Sequence, residues 1–218
     1  MKTKYFVVFL FIVLTSASLS AGTVYYIDAT GGNYSNGGLS PSSPLKMIDQ
    51  VNRSSFLPGD SILFKSGQTH YGNMIFSSSG NTGMPITIGA YGGGAKPILN
   101  GSIVISSWTG PSNGVYSASC GDVVEAVFED TIPLVKATSS ACSDGNWFTA
   151  ASILYYKPTT GVPGGHIVGY IAMNYVNLGC LNVSNKSNIA IDGLSFINFY
   201  YGICGMVICL NLNFILIF

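Results

Sequence analysis

Apolar and polar residues alternate along this chain in short bursts, and polar, glycine-rich runs separate the bursts. "SILFK" (61 to 65) places Ile62 and Phe64 on one face, after the turn Pro58-Gly59-Asp60 and before Gly67. Asn73 to Phe76 follows, bounded by Ser77-Ser78-Ser79-Gly80, then Ile86 to Tyr91, bounded by Gly92-Gly93-Gly94, then Pro97 to Leu99, closed by Asn100-Gly101. Short strands with turn signals about every dozen residues predict an all-β protein. The turns between them are polar and three to nine residues long. Two-residue hairpin connections are shorter, so these suit the corners of a coil that bends without reversing.

Two stretches repeat a pattern. "PITIGAYGGGAKPILNG" (85 to 101) and "NIAIDGLSFIN" (188 to 198) each set alternating Ile or Leu before Gly and then a second apolar strand. Such self-similarity marks stacked repeats. Alternation turns Ile86, Ile88, Ile189 and Ile191 inward and Thr87 and Ala190 outward. Between Trp108 and Asn174 the repeat is interrupted, and "VYSASCGDVVEAVFEDTIPLVKA" and "NWFTAASILYYKPTTG" read as β-hairpins of their own.

The chain ends differ from this pattern. Lys2 and Lys4 precede an uncharged apolar run from Tyr5 to Leu14, followed by small residues up to Gly22. These are the three parts of a secretory signal peptide, assigned to residues 1–21, with cleavage between Ala17 and Gly22. The run is shorter than the ~20 residues a membrane helix needs. From Phe196 to Phe218 there is no charge, but Asn198, Asn211, Asn213 and two glycines interrupt the stretch, so a membrane anchor stands only as an alternative to a further coil.

Composition narrows the partners. Without the signal peptide seven basic residues face nine acidic ones, 7 − 9 = −2, and no basic patch remains to neutralise a phosphate backbone, so nucleic acid is not an expected partner. Charged residues make up 8% of the chain and hydrophobic ones 48%, with 27 glycines. Such a chain solvates itself with Ser, Thr, Asn and backbone, and its aromatic and β-branched content excludes disorder. Five cysteines in an exported chain suggest a disulfide, and Cys120 with Cys142 is the pairing to test, with unpaired buried thiols as the alternative. Five N-x-S sequons mark Asn33, Asn52, Asn100, Asn182 and Asn185 for N-glycosylation, although an Asn- and Ser-rich chain produces such triplets by chance.

The runs "YYIDATGGNYSNGGLSPSSPLKMIDQVN", "LPGDSILFKSGQTHYGNMIFSSSGNTGMPITIGAYGGGAKPILNGS" and "SNIAIDGLSFIN" together resemble the N-terminal region of secreted right-handed parallel β-helix proteins, the pectate-lyase-like group of polysaccharide lyases and some glycoside hydrolases. The resemblance covers about Tyr25 to Ile203 and specifies fold far better than activity. It implies an N-terminal cap and first coils over 22–105, with Pro44 to Val51 forming a capping helix, an inserted β subdomain over 106–175, another coil over 176–203 and an apolar tail over 204–218 that reads as a truncated coil. A cap is also a physical need, because the end rung of a solenoid exposes unpaired backbone and apolar side chains. The implied function is that of the N-terminal part of an extracellular protein acting on or binding polysaccharide, without a complete active site in this chain. A non-catalytic glycan-binding or adhesion protein is the alternative. Calcium enters by resemblance only, and no catalytic residue is carried over because no position matches a catalytic motif of the family.

Read for chemistry alone, the residues offer little. The one acidic concentration is Asp122, Glu125, Glu129 and Asp130, and "EAVFED" reads as a strand running into a turn rather than a glycosidase pair. His70 and His166 sit at strand edges with no triad or metal spacing and read as surface or packing histidines. "AYGGGAKP" reads as a corner, since Lys96 is followed by Pro97 and no helix follows to hold a phosphate. Trp108, Trp147, Tyr155 and Tyr156 suit either a sugar-stacking platform or the packing of the insert, and packing is favoured.

Overall fold

The computed structural model describes residues 21–120, 123–172, 179–198 and 201–204, the last four and 179–180 by backbone alone. Residues 1–20 of the expected signal peptide (1–21) and residues 205–218 of the expected apolar tail (204–218) lie outside these residues. Among the described residues no helix is long and apolar enough to cross a membrane.

The protein is all-β, with parallel and antiparallel sheets in one chain. Strand β1 (Val24–Ile27) and a short helix α1 (Ile48–Asn52) precede β2 (Ser61–Lys65), β3 (Thr69–Tyr71), β4 (Met74–Ile75), β5 (Ile86–Tyr91) and β6 (Ile98–Asn100). Next come β7 (Ile103–Val104), β8 (Thr109–Ser112), β9 (Val115–Ser119), β10 (Val124–Glu129), β11 (Ile132–Pro133), β12 (Val135–Lys136), β13 (Asn146–Ala150), β14 (Ile153–Lys157) and β15 (Val168–Ala172). The last described strands are β16 (Gly179–Asn182), β17 (Ile189–Ile191), β18 (Ser195–Ile197) and β19 (Tyr201–Cys204).

Three sheets are wholly parallel, in the orders β1-β2-β5-β17, β3-β6-β18 and β4-β16-β19. The chain visits them in a fixed rotation, β2-β3-β4, then β5-β6-β16, then β17-β18-β19, so each turn adds one strand to each sheet. The two repeated stretches lie one rung apart: Ile189 pairs with Ile86, Ile191 with Ile88 and Phe196 with Leu99. Inward positions therefore form columns, Ile62-Ile88-Ile191 on one sheet and His70-Leu99-Phe196 on another. Ile62, Phe64, Ile86, Ile88, Leu99, Met74 and Leu181 are fully buried in a single core. Parallel strands buried along one face need this run of large aliphatic side chains, since hydrophobic transfer is their main gain.

The strand expected over 61–65 and the one over 86–91 are found with those limits, whereas the segment at 73–76 is reduced to β4 and the one at 97–99 is shifted by one residue. β3 had no counterpart in the pattern, because its inward residue is His70 rather than an aliphatic one. The corner at "AYGGGAKP" is a turn in which Gly92 (φ +78°) and Gly94 (φ +122°) occupy conformations unfavourable to side chains.

The segment between β1 and β2 covers the end of the parallel sheets. Ile48 and Val51, three residues apart on one face of α1, enter the core. The helix is shorter than the expected Pro44 to Val51, because the chain at Leu45 is still extended and bridges Ile27 in parallel. Gln50 accepts the N–H groups of Lys46 and Met47 at 2.7 and 3.1 Å and donates to the carbonyls of Asn33 and Tyr34, tying the Asn/Gly/Ser loop to the helix start. Asn52 donates to the Asn73 carbonyl and accepts the Ile75 N–H, at 2.8 and 2.9 Å, so one amide occupies the open edge of β4 as a strand would. On the outer edge of β1, the Tyr26 N–H donates to the Gly38 carbonyl and Leu45 bonds both ways with 26–28.

Strands β7 to β15 pair with none of the parallel strands among the described residues. They form a four-stranded sheet, β11-β10-β15-β7, and a five-stranded sheet, β12-β13-β14-β9-β8, joined mostly by antiparallel pairs. Val124, Val127, Val168 and Tyr170 of the first meet Trp147, Leu154 and Tyr156 of the second in one core.

Candidate functional site

Two constellations on the antiparallel sheets gather groups with chemistry. The first lies at the end of β10, where Asp130 (φ +50°) and Thr131 (φ +76°) make the two-residue turn into β11. Glu129, 4% exposed, accepts the hydroxyls of Tyr156 and Thr159 and the Thr159 N–H, the last at 3.1 Å. Beside it the His166 ring donates from Nδ1 to Asp130 at 2.7 Å and from Nε2 to the Thr160 carbonyl at 2.8 Å. Both ring nitrogens face acceptors, which suits the doubly protonated ring, and its pKa is raised by the Asp130 hydrogen bond first and the Thr160 carbonyl second. The same bond from His166 holds the Asp130 carboxyl below its usual value. Burial pushes Glu129 up, but the bonds from Thr159 and Tyr156 outweigh it and the carboxyl stays ionised to lower pH than usual.

Glu129, Asp130 and His166 each bring one ligand atom within 4.8 Å of the others, a spacing a metal could span. The hydrogen bonds argue for another role. Both imidazole nitrogens and both Glu129 oxygens already have hydrogen-bond partners, so a cation bound through His166 would displace at least one of these bonds. The cluster ties β10 to the loop ahead of β15, in line with the expectation that "EAVFED" is a strand and turn.

The second constellation is an open groove of about 460 Å³ on the solvent side of the five-stranded sheet. Alternation builds it: Leu154 and Tyr156 face the core, and Tyr155 between them faces outward, opposite Ser117 of β9 and Phe148 of β13. Thr109 stands opposite Ser117 on the next strand, and Ser112, Asn113 and Ser140 form the rim. Asn113 (φ +52°) and Gly114 (φ +80°) make a two-residue hairpin turn, as Asn-Gly favours. Cys142 closes one wall, with its Sγ 3.8 Å from the Tyr155 carbonyl and 3.9 Å from that of Ser139, and burial raises its thiol pKa.

Other residues singled out in the sequence serve the fold. Trp147 and Tyr156 are core residues, with the Trp147 indole donating to the Leu134 carbonyl at 3.2 Å, and Trp108 packs against Tyr156 at 5.2 Å. Only Tyr155 of the four aromatics lines the groove; its neighbour Phe148, 6.4 Å away, was not singled out. The Cys142 thiol lies against the Tyr155 and Ser139 carbonyls, and the Cys120 carbonyl accepts the Tyr170 hydroxyl at 2.7 Å. Asn33 and Asn185 are exposed, Asn182 is half-buried, Asn52 is occupied at the β4 edge, and Asn100 is 1% exposed with its carbonyl accepting from Ser102, which leaves no room for a glycan there. Asp122 and the Cys180, Cys204 and Cys209 side chains lie outside the described residues. His70 is buried in the parallel core with neither nitrogen in a hydrogen bond of good geometry, and burial draws its pKa down to about 4.

Asp28 completes the set of engaged carboxylates. It accepts from Lys65 at 2.6 Å, Gln68 at 2.8 Å, and the N–H groups of Thr30 and Gly31 at 3.0 and 2.7 Å. Burial raises its pKa, yet these bonds together hold it far below the ordinary carboxylate range. Asp60 is likewise buried, accepting from Thr23 and Leu57 at 2.7 and 2.8 Å.

No model of a known protein family matches the sequence, and no curated protein is similar to it. Among solved structures, "The complex structure of XylC with xylose" aligns with 83% of this chain and 36% of its own, at 14% identity and a TM-score of 0.58. A structure described as "Glycoside hydrolase" aligns with 81% of this chain and 51% of its own, at 12% identity and a TM-score of 0.53. The GH136 lacto-N-biosidase from Eubacterium ramulus covers 85% of this chain and 21% of its own, at 21% identity and a TM-score of 0.44. The chain therefore spans between about a fifth and a half of these proteins' lengths. At such identities the likeness to the first two of these structures is one of fold alone.

Proposed function

We propose that this chain is the N-terminal part of a secreted carbohydrate-acting protein whose three parallel sheets are the faces of a right-handed parallel β-helix. The observation that carries the reading is the fixed rotation of the chain through those sheets, with repeated stretches stacked rung on rung. Stacked rungs make a long flat surface suited to a polymer, and the fold is shared with a structure described as a glycoside hydrolase and with one described as a xylose complex. Fold alone leaves the chemistry open.

Within the described residues a binding role is better supported than a catalytic one. A glycosidase needs a carboxyl pair, one as acid and one as base or nucleophile, whereas the buried carboxylates Asp28, Asp60 and Glu129 are committed to hydrogen bonds and the exposed ones, such as Asp49 and Asp144, are paired with Arg53 and Lys157. The test is incubation of the full-length protein with a panel of neutral and uronate polysaccharides, following binding by affinity electrophoresis and cleavage by new reducing ends or unsaturated products. Binding to at least one polymer is expected. Neither binding nor product with any polymer overturns the carbohydrate reading.

A further inference from the structure

The groove on the five-stranded sheet has a composition that the packing of the insert does not require. The sheet buries its other face, and Tyr155 spends its ring on the solvent side. We propose that this groove is a binding subsite for neutral sugar units, with the Tyr155 ring as the surface on which a pyranose stacks. The inference rests on the carbohydrate reading above and adds the location and the charge class of the ligand.

Three observations carry it. The Tyr155 ring lines the groove, and Phe148 beside it on the neighbouring strand, ring centroids 6.4 Å apart and planes 37° apart, backs it from outside the groove, which puts flat apolar area among mostly small residues. Sugar rings present the complementary combination of apolar C–H faces and hydroxyl edges. The lining supplies Thr109, Ser112, Asn113, Ser117 and Ser140, whose hydroxyl and amide groups donate and accept at once, as every sugar hydroxyl does. None of the ten lining residues carries a charge. The nearby Lys157 is paired with Asp144 at 2.9 Å, so it is no free counter-ion for a carboxylate. A uronate would lose hydration here and gain no ionic partner, while a neutral sugar loses only bonds that the lining replaces.

The site is also built in advance. The Asn113-Gly114 turn fixes one wall, and the Cys142 thiol anchors the loop that brings in Ser140 against the Tyr155 and Ser139 carbonyls. A volume of about 460 Å³ lies within the usual range of small-molecule sites.

The test uses the full chain in affinity gels containing arabinoxylan, galactomannan, mixed-linkage β-glucan or polygalacturonate. Tyr155→Ala removes the stacking surface, Ser117→Trp fills the groove from its floor, and both lie on the solvent face, with circular dichroism confirming the fold. Retardation by at least one neutral polymer is expected, weakened roughly tenfold or more in each variant and retained in Tyr155→Phe. Unchanged affinity in both Tyr155→Ala and Ser117→Trp overturns the groove while leaving the carbohydrate reading intact, and a preference for polygalacturonate overturns the charge class. If the wild-type chain binds no polysaccharide at all, the wider reading falls together with this one.

Discussion

Replacing His70 by leucine tests the core of the parallel sheets directly. His70 occupies an inner column whose next member is Leu99, it lies edge-on to Phe64 at 4.9 Å, and neither of its nitrogens makes a hydrogen bond of good geometry, the nearby Lys65 backbone only weakly offsetting the burial that lowers its pKa. Burying an unpaired polar group costs about 1–3 kcal/mol, so His70→Leu should be more stable than wild type even at neutral pH. Acid widens the gap. The unfolded chain takes up a proton near 6.5 and the native state only at about 4, so between those values the unfolded state binds more protons and stability rises with pH. The histidine's contribution is intact above 6.5 and falls away as pH drops toward 4, amounting to about 2 kcal/mol by pH 5 and about 3 kcal/mol below pH 4. Urea unfolding at pH 7, 6 and 5, with equal m-values, gives the difference between the two proteins. Asp28 and Glu129 keep lowered values in the fold and lose their contribution at more acidic pH, so they do not obscure this window. Wild-type and variant curves that run parallel within about 0.5 kcal/mol from pH 7 to 5 would refute the reasoning.

Three further outcomes follow from named contacts. Asp28→Ala removes the acceptor shared by Lys65, Gln68, Thr30 and Gly31, and should lower stability by about 3 kcal/mol in urea unfolding, toward the low end for buried pairs because Lys65 is 44% exposed. Ala151 (φ +48°) and Ser152 (φ +61°) form the two-residue turn between β13 and β14, so the double variant Ala151→Asn with Ser152→Gly should raise the melting temperature, by about 1 kcal/mol of stability. His166 has a raised value, so its bond to Asp130 contributes fully below 6.5 and is lost as pH climbs through the folded value; His166→Ala should flatten that part of the stability profile by about 0.5–1 kcal/mol.

The parts of this fold written in aliphatic alternation could be read from the chain. Ile86 and Ile88 are buried, Ile189 and Ile191 pair with them, and the repeated stretches stack as their likeness suggested. β3 escaped because "THY" carries a polar residue at its inward position and is three residues long. The aromatic cluster was legible only in part: packing, the favoured reading, holds for Trp108, Trp147 and Tyr156, but Tyr155 and Tyr156 are neighbours, and only the strand register decides that one enters the core and the other the groove. Asn52 shows a similar limit. Its sequon is a three-residue pattern, while its role at the edge of β4 depends on residues more than twenty positions away.

That distance dependence bears on the site as well as the fold. Every buried carboxylate described is held by long-range partners: Asp28 by residues 37 and 40 positions on, Asp60 by Thr23, 37 positions back, and Glu129 by Thr159, 30 positions on. A sequence poor in charge has few carboxylates to spend, and this one spends the buried ones on joining distant segments. The groove uses none of them. Its recognition rests on hydroxyls, an amide and an aromatic ring, the groups a weakly charged chain has in surplus, and such groups distinguish a neutral sugar from a charged one chiefly by offering the charged one no partner.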